Sequence, residues 1–235
     1  LSHVETAQTM SSIERLQRRI AFLEQHISEH RLQKIQNVLA QRTRFLTVVL
    51  ENLYHPENGN AVMRSVECFG LQEMQVIQEK YDWKYSLKIA RGAAKWTEVQ
   101  TYGQEEGGAA ACYAQLKARG YQLVGTDPQP GSCTAENLDL SQPVALIFGT
   151  ESTGVAPETL ALADARIHIP MVGFTESFNI SVSAGILLAQ LRQRLEREVP
   201  HWQLTEQERL EIYADWLAKS VRHADALLRA FEKQE

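Results

Sequence analysis

The 235-residue sequence predicts an α/β protein: a parallel sheet flanked by helices, with helical extensions at both ends. Two runs carry much of this reading. Phe45-Leu46-Thr47-Val48-Val49-Leu50 and Pro143-Val144-Ala145-Leu146-Ile147-Phe148 are apolar without alternation, as strands buried on both faces must be. Helix-period segments separate them from further strand-like runs, and that alternation favours parallel pairing. The composition, 44% hydrophobic and 23% charged, excludes a wholly disordered chain, a collagen-like fibre and a pure coiled coil.

The elements follow in order. In residues 11–29, Ile13, Leu16, Ile20, Leu23 and Ile27 recur with a helical period, and Ser11 or Ser12 can cap the helix. A second short helix is expected over residues 31–41. The first strand, at 45–50, is broken by His55-Pro56-Glu57-Asn58-Gly59, and residues 60–69 read as a helix stopped by Gly70. A second strand is expected at 74–77. A helix over 107–119 stops at Gly120, and a third strand follows at 121–125. Residues 127–132 form a turn-rich loop. The fourth strand occupies 143–148. A short helix over 157–163 has Pro157 in its first turn, and a fifth strand covers 166–169. Residues 177–198 begin as a small-residue helix that becomes charged and ends before Pro200, and residues 205–231 form a polar helical tail. Three segments result: a helical N-terminal arm over 1–44, a sheet domain over 45–198 and a helical C-terminal extension over 199–235.

The net charge of −5 argues against a wholly basic nucleic-acid-binding surface, but the charge is uneven. Residues 1–44 carry seven Lys and Arg against four Asp and Glu, whereas residues 45–191 carry nine against sixteen. A basic arm of this kind suits RNA, and solvated helix faces explain it equally. Lys80, Lys84, Lys88, Arg91 and Lys95, interleaved with Trp83, Tyr85 and Trp96, would line one face if that segment is helical. Cys68, Cys112 and Cys133 form no CxxC pair, so free thiols in a cytoplasmic protein, and no metal site, are expected. The apolar runs fall far short of the ~20 residues of a membrane span, and residues 1–10 do not read as a secretion signal.

No GxxxxGK[ST], GxSxG or GxGxxG motif is present, which disfavours the common nucleotide-binding and hydrolase readings. The chemistry-bearing candidates sit instead after strands: Asn58-Gly59-Asn60 with Arg64, Gly149-Thr150-Glu151-Ser152-Thr153-Gly154, and Ser177-Phe178-Asn179. Each has a plain structural explanation. Asn58-Gly59 can be a turn, the glycines purely conformational, Ser177 a helix cap, and Glu151 an acid complementing a helix dipole. Open parallel sheets bind ligands at the carboxyl ends of their strands, so the three loops are expected to converge.

Together these loops resemble the SPOUT superfamily of methyltransferases, and within it the TrmH type, the tRNA guanosine-2′-O-methyltransferases. The resemblance runs from Glu51-Asn52-Leu53-Tyr54-His55-Pro56-Glu57-Asn58-Gly59-Asn60-Ala61-Val62-Met63-Arg64 through Leu146-Ile147-Phe148-Gly149-Thr150-Glu151-Ser152-Thr153-Gly154 to Glu176-Ser177-Phe178-Asn179-Ile180-Ser181. It covers about residues 31–195. Glu57 stands where His is usual, Phe178 where Leu is usual, and residues 1–30 exceed the usual arm.

The resemblance implies a SPOUT fold with a C-terminal deep trefoil knot, with Gly149 and Gly173 permitting close backbone crossings. It implies S-adenosylmethionine held by Thr126, Gly149, Ile169, Met171, Ser177 and Phe178. It also implies a homodimer, packed through Ala184-Gly185-Ile186-Leu187-Leu188-Ala189, and catalysis by Arg64, Asn58, Glu151 and Asn179. The implied reaction methylates a ribose 2′-hydroxyl in tRNA, at guanosine 18 of the D-loop. Ribosomal RNA methylation and an inactive RNA-binding protein are the alternatives. The family assigns the proton to the arginine matching Arg64, but a free guanidinium is always protonated. Arg64 holding a phosphate bidentately, with the phosphate or a water as base, is the other route. On either, Asn58 and Asn179 orient Arg64 and the ribose, and Glu151 fixes Arg64 by an ion pair. Arm residues Arg15, Arg18, Arg19, Arg31, Lys34, Arg42 and Arg44 would contact RNA phosphates.

Overall fold

The computed structural model describes residues 12–81, 83, 92–129 and 131–232. The chain forms two compact units, residues 42–203 and residues 1–41 with 204–235.

In the first unit, β1 (Leu46–Glu51), β2 (Glu73–Ile77), β3 (Glu98–Tyr102), β4 (Gln122–Thr126), β5 (Val144–Phe148) and β6 (Ala165–Ile167) form one sheet in the order β3-β2-β1-β5-β4-β6. Every pairing is parallel. The two unbroken apolar runs are its centre: β1 and β5 are buried at every position and pair from Leu46 with Val144 to Leu50 with Phe148. Alternate side chains face opposite ways. Val48, Leu50, Leu146 and Phe148 join the core under α3 (Pro56–Cys68) and α6 (Ile180–Glu198), which also pack on each other. Val49, Ala145 and Ile147 join a second core with α4 (Gly108–Ala118) and Leu160 of α5 (Pro157–Leu162). Burying each such side chain contributes roughly 1.5–3 kcal/mol.

Several expectations change. β3 was not foreseen, because Glu98, Gln100 and Thr101 are polar and exposed, as suits an edge strand. α3 starts at Pro56, not at residue 60, so Asn58-Gly59 lies inside a helix rather than in a turn. Gly59 is needed for packing: a Cβ there would stand 2.4 Å from Nε1 of Trp83. Lys84, Tyr85, Lys88 and Arg91 of the basic cluster lie outside the described residues, while Lys95 ends a short 3-10 turn over Ala93–Lys95. Arg42 is not an arm residue available to RNA. It is 1% exposed, donates to the Leu71 carbonyl at 2.8 Å and pairs with Glu67 at 3.0 Å. Arg44 pairs with Glu73 and Glu98.

The second unit joins both ends of the chain, which the sequence reading kept as separate arms. α1 (Ser12–Glu24), shorter than expected, and α2 (Glu29–Leu39) pack on α7 (Glu206–Ser220). Ile20, Leu23, Ile35 and Leu39 are buried, as are Ile212, Tyr213, Trp216 and Leu217. The Tyr213 hydroxyl donates to Glu24 at 2.8 Å and accepts from Gln36 at 3.1 Å. Thr205 and Glu208 form the capping box that starts α7. The polar tail is two helices, not one: His223, at φ 58°, breaks it before α8 (Ala224–Glu232).

Two features at the ends of β1 and β5 generate predictions. After β5, the Thr150 and Gly154 backbones bond each other at 3.0 Å both ways, closing a tight loop. A Cβ on Gly149 would stand 1.9 Å from the Gly154 carbonyl oxygen. Backbone cannot move aside as a side chain can, so Gly149→Ala should destabilise the protein by at least about 2 kcal/mol, read from urea unfolding.

At the end of β1, buried Glu51 accepts from Tyr113 at 3.1 Å and Thr159 at 3.2 Å. Burial raises its carboxyl above the ordinary value, against the lowering pull of those two hydrogen bonds. The folded state therefore binds this proton more tightly than the unfolded chain does. The group's contribution to stability is fullest at low pH and declines as pH rises through the folded value. Glu51→Gln, which keeps the shape and cannot ionise, should gain on the native protein in urea midpoint as pH rises from about 4 to 8.

Candidate functional site

β1 and β5 are neighbours, yet the helices that follow them cover opposite faces of the sheet, α3 on one and α5 on the other. Strand order reverses at this pair, which opens a crevice beyond their carboxyl ends. The loops after β1 and β5 border it.

Three of the four residues assigned to catalysis meet there. Asn58, at the third position of α3, donates from Nδ2 to Glu151 Oε1 at 2.6 Å. Its Oδ1 accepts from Asn179 Nδ2 at 3.0 Å. Asn179 Oδ1 in turn accepts from the Ser181 backbone N–H at 2.8 Å and the Ser181 hydroxyl at 2.6 Å. The carboxylate end accepts only and the Ser181 N–H donates only, so the polarity of the whole relay is determined. Asn179, rather than Ser177, caps α6, which begins at Ile180. Ser181 was overlooked as a member of this network. Its signal was the Asn-x-Ser start of a helix, where a cap accepts from the residue two positions on.

Arg64 is exposed on α3 and makes no hydrogen bond or ion pair with the described residues. The expected Glu151–Arg64 pair and the orientation of Arg64 by Asn58 and Asn179 are therefore absent. Six residues along a helix turn the side chain about 120° away from its start, so Arg64 and Asn58 project on different sides of α3. Nor is Glu151 a helix-dipole acid. It lies in the loop before α5, whose first turn carries Glu158 instead.

The residues assigned to the cofactor lie at the same end of three adjacent strands, β5, β4 and β6. Thr126 ends β4 opposite Ile167, and its hydroxyl donates to the Ile147 carbonyl at 3.0 Å. Gly149 follows β5. Ile169, half-buried, follows β6 and packs on the core. Met171 is half-buried, and Ser177 and Phe178 are exposed, Phe178 at 44%. Val172 and Phe174 stand fully in solvent on the same loop. A Cβ on Gly173 would meet only the Thr175 N–H, at 3.9 Å, and the nearest atoms to one on Gly149 belong to its own loop. In the segment read as a dimer face, Ala184, Leu187 and Leu188 are buried within the chain's own core, leaving Gly185, Ile186 and Ala189 half-exposed.

Residues 45–189 match the SpoU rRNA Methylase family. A tRNA (guanosine(18)-2′-O)-methyltransferase of Borreliella burgdorferi is 33% identical over 206 residues, covering 88% of this chain and 93% of the relative. Among solved structures, the A. aeolicus TrmH/SpoU tRNA modifying enzyme superposes with a TM-score of 0.72 at 28% identity, over 83% of this chain and 98% of that one. The SpoU methyltransferase AviRb from Streptomyces viridochromogenes, in complex with the cofactor AdoMet, superposes at 0.57 and 25% identity, over 67% and 60%. A match across more than half its length, with a close relative spanning most of both chains, means that this chain belongs to the SpoU rRNA Methylase family.

Proposed function

We propose that the chain transfers a methyl group from S-adenosylmethionine to the ribose 2′-hydroxyl of guanosine 18 in tRNA. The observation that carries this reading is the Asn58–Glu151–Asn179 relay at the strand-order reversal, in a chain whose relative bears the name of that activity.

The cofactor's chemistry fits the residues present. Backbone at Thr126 and Gly149 offers carbonyls and amides, and Ile169, Met171 and Phe178 offer partly exposed apolar surface to a flat base. When bound, S-adenosylmethionine supplies a methyl group already activated on a sulfonium. The chain's task is then the acceptor. One proton on each asparagine Nδ2 and the free Glu151 oxygen remain to hold ribose hydroxyls. Unpaired Arg64 grips the adjacent phosphate through its fork, and that phosphate or a water takes the hydroxyl proton.

The family's knot belongs to the same reading. Segment 131–138 supports it by touching both sides of the chain's return from β6: Cys133 accepts from His168 N–H at 2.9 Å, and the Ala135 and Leu138 carbonyls accept from Arg194 of α6. So does a homodimer, for which exposed Val182 with Ile186 on α6 supplies an apolar strip. Light scattering should give twice the 26.6 kDa chain mass. Exposed Arg15 on α1 and Lys34 on α2 are arm residues that would meet RNA phosphates. No helix among the described residues is long and apolar enough to cross a membrane.

Labelled S-adenosylmethionine with purified tRNA, followed by mapping of the modified nucleotide, tests the reaction. Arg64→Ala should lower turnover at least about 100-fold, the cost of removing one transition-state donor. Cofactor affinity by titration calorimetry should hold. Arg64→Lys should rescue little, because a point charge cannot replace the fork. Near-native turnover in Arg64→Ala would remove Arg64 from the mechanism.

A further inference from the structure

Beyond the carboxyl ends of β1 and β2, two tyrosine rings stand in solvent, Tyr54 just ahead of the helix that carries Asn58. Tyr54 is 61% exposed and Tyr81 42%. Their centroids are 5.2 Å apart and their planes stand at 89°. The His55 ring meets Tyr54 edge-on at 4.8 Å.

This corner is held from below. Asn52, 6% exposed, adopts a left-handed φ of 51°. Its Oδ1 accepts from the backbone N–H of Glu79 at 2.9 Å and of Lys80 at 3.0 Å, and its own N–H donates to the Ile77 carbonyl at 2.9 Å. One buried amide thus ties the loop after β1 to the loop after β2, and sets Tyr54 beside Tyr81.

We infer that Tyr54 and Tyr81 form a stacking platform for one nucleobase of the RNA substrate, next to the ribose that the relay holds. The inference rests on the reading of the chain as an RNA methyltransferase. Two rings at a right angle let a flat base stack on one while its edge meets the other. Stacking on exposed aromatics is how unpaired bases are commonly held. Tyr54 lies four residues before Asn58 and two ahead of α3, and Lys80, exposed next to Tyr81 in the chain, suits the phosphate of a stacked nucleotide.

The test uses the full chain and a tRNA transcript. Tyr54→Ala and Tyr81→Ala should each weaken tRNA binding by roughly 5- to 100-fold. The dependence of affinity on salt should keep its slope, because no phosphate contact is lost. Cofactor affinity should not move, and Tyr54→Phe, which keeps the ring, should bind as the native protein does. Native RNA affinity in both alanine variants would overturn the platform, and would be the outcome if a protein occupied the corner. Tyr54→Phe as weak as Tyr54→Ala, or a parallel loss of cofactor affinity, would overturn it in favour of a structural role. The methylation reading is judged separately, by whether the native protein methylates tRNA at all.

Discussion

The parallel pairing of β1 with β5 is the constraint on which the candidate site depends. Both strands are buried on both faces, so neither can slip or leave the middle of the sheet without exposing a full row of apolar side chains. Their following helices go to opposite faces, which leaves a gap between them beyond the strand ends. Asn58 and Glu151 reach each other across that gap, and α6 brings Asn179 to the same place. These polar contacts lie at the surface, where a hydrogen bond adds little to stability. The sheet pays for the site's geometry, and the relay itself is free to serve a ligand.

Behind the crevice the energetics reverse. Glu51 is removed from water at the very end of β1, where a carboxylate is costly unless satisfied. Tyr113 from α4 and Thr159 from α5 supply a hydroxyl each, and the two hydroxyls lie 3.4 Å apart. The same burial pushes the neighbouring Cys112 thiol up to about 12, so it packs as a neutral group. Thr159 stands five residues after the loop that closes at Gly154. Glu51 therefore anchors, from inside, both the strand leading to Asn58 and the helix following Glu151. An expensive buried contact holds still the two elements whose exposed contacts are cheap.

Much of this was legible in the sequence, for reasons that also explain the failures. Unbroken apolar runs identify doubly buried strands, so β1 and β5 stood out, while β3 carries an edge strand's polar residues and did not. That Asn58, Glu151 and Asn179 share one place was expected from their positions after strands, while the roles proposed for them come from the family resemblance. What was hidden depends on contacts distant in sequence. Gly59 reads as a turn glycine until Trp83 is found against it. Arg42 reads as an arm cation until Glu67 and the Leu71 carbonyl are found around it. The Glu151–Arg64 pair was expected from the family's arginine and the complementary charge of Glu151, but helix geometry turns Arg64 away from the residue that Glu151 meets. Charge patterning says that partners exist, not which ones.

That lesson bears on how an acidic chain can act on RNA. With a net charge of −5, the protein repels a polyanion at long range. Several of its arginines are already spent: Arg42, Arg44, Arg119, Arg192 and Arg194 pair with carboxylates of the chain. On the methyltransferase reading, those five are not available to displace counterions, which lowers the electrostatic share of the affinity. The remainder must come from contacts that ignore net charge: amide hydrogen bonds to ribose, one guanidinium fork, and apolar or aromatic surface against bases. Such contacts depend on exact placement rather than on field strength. A protein built this way gives up fast, unselective association with nucleic acid. It gains discrimination, because hydrogen bonds and stacking of this kind are made only where the RNA presents matching groups.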